Sequence, residues 1–152
     1  IMAISSQGIF RIYHKNSLNN SERKSEIPVF INSSAMICNK NIRTELVNME
    51  EFLARAKFTK NLFTISLDYA TISDRAVFRN RKAGDFIAPK GRGLTKPLRK
   101  LMSEMKIPAE KRDSAILLAD ENNILWAEEI GVSEQCCVKN TTQKVLMIYI
   151  DE

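Results

Sequence analysis

Alternation of apolar and polar positions dominates the first third of the chain. In residues 8–14, Phe10 and Ile12 share one face, and Ile9, Arg11 and Tyr13 share the other, which predicts a strand. The polar, turn-rich stretch 16–26 reads as a loop. Residues 27–33 predict a second strand, placed by Pro28 at a sheet edge or a strand start. The period then changes. Residues 48–58 begin with an Asn cap and two acids and set Phe52, Leu53 and Ala56 on one face, which predicts a short helix. In residues 61–69, Leu62, Thr64, Ser66 and Asp68 alternate against Phe63, Ile65, Leu67 and Tyr69, the clearest strand of this half.

Residues 75–81 predict a further strand, closed by a turn at Lys82-Ala83-Gly84-Asp85, where Asp85 is placed to bond nearby backbone N–H groups. Thr95 can cap a helix through Met105, with Pro97 in its first turn. Leu98, Leu101, Met102 and Met105 then form one buried stripe, leaving Lys96, Arg99 and Lys100 exposed. Pro108 opens a helical turn through Arg112. A hairpin follows, 115–119 and 124–129 around Asp-Glu-Asn-Asn, and 144–150 is the last strand. Strands and short helices without regular βαβ alternation predict an α+β fold: a mostly antiparallel sheet with two or three short helices. A change of charge near Asp74 suggests two small subregions, 1–74 and 75–152.

Composition limits the function classes. At 152 residues and 44% hydrophobic content the chain can form a core. No apolar run approaches the roughly 18 residues that span a bilayer, and no secretory leader is visible. The expectation is a cytoplasmic protein without a membrane partner, and the start in strand-like sequence suggests a piece of a longer one. Three cysteines, Cys38, Cys136 and Cys137, form no disulfide framework and fit a reducing compartment. On a strand, Cys136 and Cys137 would point to opposite faces. A zinc site would need further soft ligands, and the only histidine, His14, is far away, so no metal site is expected.

Charge sharpens the picture. Between Arg75 and Arg112 twelve Lys/Arg face three acids, a local +9 within a chain of net +5. Segregation of this kind points to a polyanionic partner. The bland alternative for a charge run is a solvated face. Against it stand Gly84, Gly91 and Gly93, which let backbone N–H groups approach phosphates, and a helix N-terminus directly after them. Candidate phosphate-binding residues are Arg79, Arg81, Lys82, Lys90, Arg92, Lys96, Arg99, Lys100, Lys106, Lys111 and Arg112. Phe78, Phe86 and Trp126 read as packing residues rather than stacking platforms. Few groups could read base edges, so recognition of a folded RNA through its backbone is expected. No catalytic constellation is visible: His14 lacks a partner, and Glu128 and Glu129 would point to opposite sides of a strand.

These residues resemble a known family. Arg79, Arg81, Lys82, Gly84 and Asp85 form an Arg-x-Arg-basic-x-Gly-Asp turn, followed by a loop with Gly91 and Gly93 and the Lys/Leu-rich stretch 96–101. Ile107-Pro108, Arg112-Asp113, a hairpin with Trp126 and the closing "VKNTTQKVLMIY" complete the pattern. In this order they resemble the C-terminal domain of tRNA(Ile)-lysidine synthetase, over residues 68–150, with a fainter echo at "IFRIYHKNSL". Glu129 and Gly131 stand where the family often has glycine and arginine, and Phe86 where a basic residue is common.

The resemblance implies the tRNA-binding end of an ATP-dependent ligase that joins lysine to the wobble cytidine of a minor tRNA(Ile). ATP and lysine would be substrates of the parent enzyme. The family's N-terminal catalytic domain would be a partner within the same protein, and the acceptor stem the part of tRNA held. The fragment alone would be non-catalytic and hold no cofactor. The competing class is a protein-interaction module that packs its basic face on an acidic surface.

Overall fold

A computed structural model describes residues 2–6, 9–13, 26–58 and 65–151. His14, most of the 16–26 loop and the first half of the 61–69 strand lie outside the described residues. Strands β1 (Met2–Ser6) and β2 (Ile9–Tyr13) form an antiparallel pair. The remaining strands build two sheets. The first runs β3 (Ile27–Pro28), β7 (Val77–Arg79), β10 (Leu117–Asp120), β11 (Asn123–Ala127), β8 (Phe86–Ile87) and β9 (Lys96–Pro97), with β12 (Gly131–Val132) also on β11. The second runs β4 (Ser34–Ile37), β5 (Lys40–Asn48), β13 (Lys144–Asp151) and β6 (Ile65–Asp68). All pairs are antiparallel except β11 with β8, so the fold is α+β as expected. Both sheets take strands from either side of residue 74.

The apolar run of β13 explains the layering. It pairs with β5 from Lys144↔Asn48 to Asp151↔Asn41. Leu146 and Ile148 face inward onto Ile42, Phe78 and Trp126, while Val145 and Met147 face outward with Val47. A strand buried on both faces must be apolar throughout, and this one is. The inner core joins the two sheets. Helix α1 (Met49–Phe58) covers the outer face of one, and α2 (Leu98–Glu104) covers the outer face of the other. A register shift at Leu118/Ala119 leaves Leu125 as the extra residue of β11, so Leu125 and Trp126 both enter the inner core. Trp126 and Phe78 are fully buried, as packing residues should be.

Several local expectations change. Asn48 does cap α1, its Oδ1 accepting from Glu51 N at 2.7 Å. The buried side of α1 is Met49 and Phe52, however, and Leu53 and Ala56 face solvent. The strand predicted over 27–33 shrinks to two residues at the sheet edge, where Pro28 needs no ladder donor. Cys136 lies in a 3-10 turn (Glu134–Cys136), not a strand, and is buried while Cys137 is half-buried. Strand β11 stops at Ala127, so Glu128 and Glu129 are not strand neighbours across a sheet. Glu128 instead takes Lys40 Nζ at 2.8 Å and Ile116 N at 3.1 Å, tying the β4–β5 hairpin to the first sheet. A third helix, α3 (Ala109–Ser114), follows Pro108. No helix among the described residues is long and apolar enough to cross a membrane.

Candidate nucleic-acid interface

The basic segment is organised around one buried carboxylate. Asp85 accepts two bonds from Arg79, Nη1 to Oδ2 at 2.9 Å and Nη2 to Oδ1 at 2.8 Å, with both side chains almost fully buried. It also takes Lys82 N at 2.7 Å and Asn122 Nδ2 at 3.0 Å. Its own carbonyl receives Leu98 N at 2.8 Å. Arg79 also donates through Nη1 to Asn80 O and through Nη2 to Glu121 O. Strand β7, the 82–85 turn, the β10–β11 turn and the start of α2 are thus joined at one point. Burial opposes the charge on Asp85, but the Arg79, Lys82 and Asn122 donors outweigh it and hold the carboxyl below its ordinary range. Gly84 has φ +89, and a Cβ there would meet the Asn122 amide. That approach is at ordinary contact distance, so it is the left-handed backbone that glycine suits.

Arg79 was a sequence candidate for phosphate contact, and its position differs from that expectation. It is 2% exposed and committed to Asp85. Strand β7 directs it into the protein because the hairpin turn supplies acceptors there. The remaining candidates divide in two. Arg81 pairs with Asp113, Lys82 with Glu26, Lys96 with Glu104 at 2.6 Å, and Lys111 lies 3.7 Å from Glu129. Arg112 donates to Ile107 O and Ser103 Oγ. By contrast, Lys90, Arg92, Arg99, Lys100 and Lys106 are exposed, with no hydrogen-bonded or ion-paired side-chain partner among the described residues. The fold gathers these five at and around α2.

Helix α2 is shorter than its sequence suggests, and the reasons are local. A residue before proline is pushed toward extended backbone, so Lys96 joins Pro97 in β9 and the helix starts only at Leu98. Thr95 caps nothing. The first helical N–H is used by Asp85 O, and the Gly91 N–H goes to Glu134 Oε2 at 2.9 Å. The expected backbone cradle for phosphate is therefore partly filled by the protein's own acceptors. Leu98, Leu101 and Met102 are buried as predicted. Met105 is 43% exposed because the helix has ended and Lys106, at φ +56, turns the chain away. Lys96 is half-buried against Glu104 rather than free. Lys96 is also the main cause of the lowered pKa of Glu104, with the fields of Lys100 and Arg92 adding to it. Phe86 was expected to pack, yet it is 39% exposed, paired in register with Pro97. Side-chain ion pairs of this kind leave no periodic trace in a sequence.

A two-sheet α+β domain with cations presented around a short covering helix defines the class of protein. A solved structure described as "Crystal structure of TILS C-terminal domain" shares this fold, with TM-score 0.65 and 19% identity over 85% of this chain and 97% of that one. Residues 77–149 match the family model of the TilS substrate C-terminal domain, which places that stretch of the chain in the family. A tRNA(Ile)-lysidine synthase of Clostridium perfringens is 38% identical over 100 residues, which is 66% of this chain and 21% of the relative. One from Clostridium tetani is 26% identical over 99% of this chain and 32% of its own length. The chain thus spans between a fifth and a third of these curated relatives.

Proposed function

We propose that the chain is the tRNA-holding C-terminal portion of a tRNA(Ile)-lysidine synthetase. The observation that carries this reading is the set of exposed cations without a hydrogen-bonded or ion-paired side-chain partner among the described residues: Lys90, Arg92, Arg99, Lys100 and Lys106. An unneutralised cation gains most from a phosphate, because no internal ion pair has to break first. The contact is with the sugar–phosphate backbone of a folded RNA, the acceptor stem of tRNA(Ile) in this reading. The buried Arg79–Asp85 pair supports the turn from which the loop and helix project. Arg81, Lys82, Lys96, Lys111 and Arg112 contribute where their present partners can be exchanged for phosphate.

In the parent protein the N-terminal catalytic domain uses ATP to join lysine to the wobble cytidine, in the cytoplasm. This chain supplies no step of that chemistry and positions the substrate. The test is fluorescence anisotropy of a labelled tRNA(Ile) transcript against the chain over a range of salt. Each phosphate neutralised contributes roughly 0.9 to the slope of log K against log salt, so five contacts give a slope of about −4.5. Binding that is absent, or indifferent to salt, would remove the docking role.

A further inference from the structure

Beside α2 lies a cleft of about 550 Å³, within the roughly 300–1,000 Å³ typical of ligand sites. Its apolar wall is made by Met105, Ile130 and Val132, and Lys90 and Arg92 stand at the same opening. These apolar groups are not sealed by packing: Met105 is 43% exposed, and Ile130 and Val132 are half-buried. Strands β6 and β12, which flank the cleft, each end a path of sheet pairing, so neither outer edge is occupied by another strand among the described residues. The acid of this loop, Glu134, is engaged by the Gly91 N–H, and neither Lys90 nor Arg92 has an ion-pair partner among the described residues. One cavity therefore offers an apolar surface and two cations together.

A duplex cannot use such a site, because its bases are stacked and paired. An unpaired nucleotide can, since it carries a flat apolar face and a phosphate a few bonds apart. A polarizable methionine is well suited to lie against a base. We propose that this cleft takes one unpaired nucleotide of the bound RNA, its base against Met105, Ile130 and Val132 and its phosphate on Lys90 and Arg92. The proposal rests on the RNA-holding reading above and adds a requirement for a single-stranded element next to the duplex.

The experiment compares two RNAs with the same duplex, one blunt and one carrying a short single-stranded 3′ tail, by anisotropy with the chain. The tailed RNA should bind about tenfold more tightly, the scale of sheltering one base. Met105→Ser removes part of the apolar wall without adding charge, at an exposed position outside the buried stripe. It should cancel that gain and leave blunt-duplex affinity, with an unchanged melting temperature. Cys137, whose half-buried side chain also lines the cleft, provides an independent reading in a Cys38→Ser background. Its maleimide labelling should slow with the tailed RNA and not with the blunt one. Equal binding of both RNAs by the wild-type chain would overturn the cleft proposal and leave the duplex reading intact. A tail gain that survives Met105→Ser, or Cys137 labelling that ignores the tail, would also overturn it. If neither RNA binds, the RNA-holding reading falls and the cleft proposal with it.

Discussion

Arg79 and Arg99 belong to one basic segment and have opposite surroundings. Arg79 ends a strand, is almost fully buried, and makes two bonds to Asp85. Arg99 sits on the outer face of α2, exposed and without an ion-pair partner among the described residues. The same guanidinium that would gain from a phosphate at the surface would lose its acceptors if pulled from the interior. Local charge density thus points to a kind of partner without saying which cations meet it. Acceptors fixed by the fold decide that.

The largest expected effect comes from breaking the buried half of this comparison. Arg79→Ala leaves Asp85 buried without its principal counter-ion, and such a loss costs about 3–5 kcal/mol. Chemical denaturation should show it directly, and a loss below about 1 kcal/mol would mean that the pair is dispensable. The same pair shapes acid stability. The folded pKa of Asp85 is depressed, so its contribution is fully present above the unfolded carboxylate value of about 4. It is lost as pH falls from there through the lower folded value. Melting curves between pH 2 and 7, about the range that brackets this transition, should show an acid limb that is weaker in Asp85→Asn. An identical limb in the two proteins would assign acid sensitivity to other carboxylates.

A smaller change sharpens the exposed half. Glu104 holds Lys96 at 2.6 Å and draws on Arg92 and Lys100 through its field. Glu104→Gln should release Lys96 and tighten tRNA binding severalfold, with the salt slope steeper by about 1. Exposed pairs of this kind contribute only about 0–1 kcal/mol, so stability should barely move. Unchanged affinity would place Lys96 away from the RNA.

Much of the fold was legible because burial and period speak together. The stripe Leu98, Leu101 and Met102, the β10–β11 hairpin and the double-faced β13 all follow from which positions are apolar. Where one feature outweighed the pattern, expectation failed. Pro97 shortened α2 from its start and the turn at Lys106 cut Met105 from the stripe. The helical face of α1 was placed one residue off, since its short contact with β13 needs only Met49 and Phe52. Basic residues were legible as a group, but their ion pairs depend on acids brought close by folding. Asp113, Glu26 and Glu104 are distant or unremarkable in sequence, yet they neutralise Arg81, Lys82 and Lys96.

The central claim is that the exposed cations of α2, and not the buried one, hold tRNA. It is tested most directly by a salt titration of tRNA(Ile) binding for the wild-type chain and an Arg99→Glu/Lys100→Glu variant, with melting as the folding control. Both side chains lie off the buried stripe, so stability should stay within about 0.5 kcal/mol. The account predicts affinity reduced at least about tenfold at low salt and a slope shallower by about 2. A folded double variant with the affinity and slope of the wild type would contradict it, and would instead favour a basic face that packs against protein.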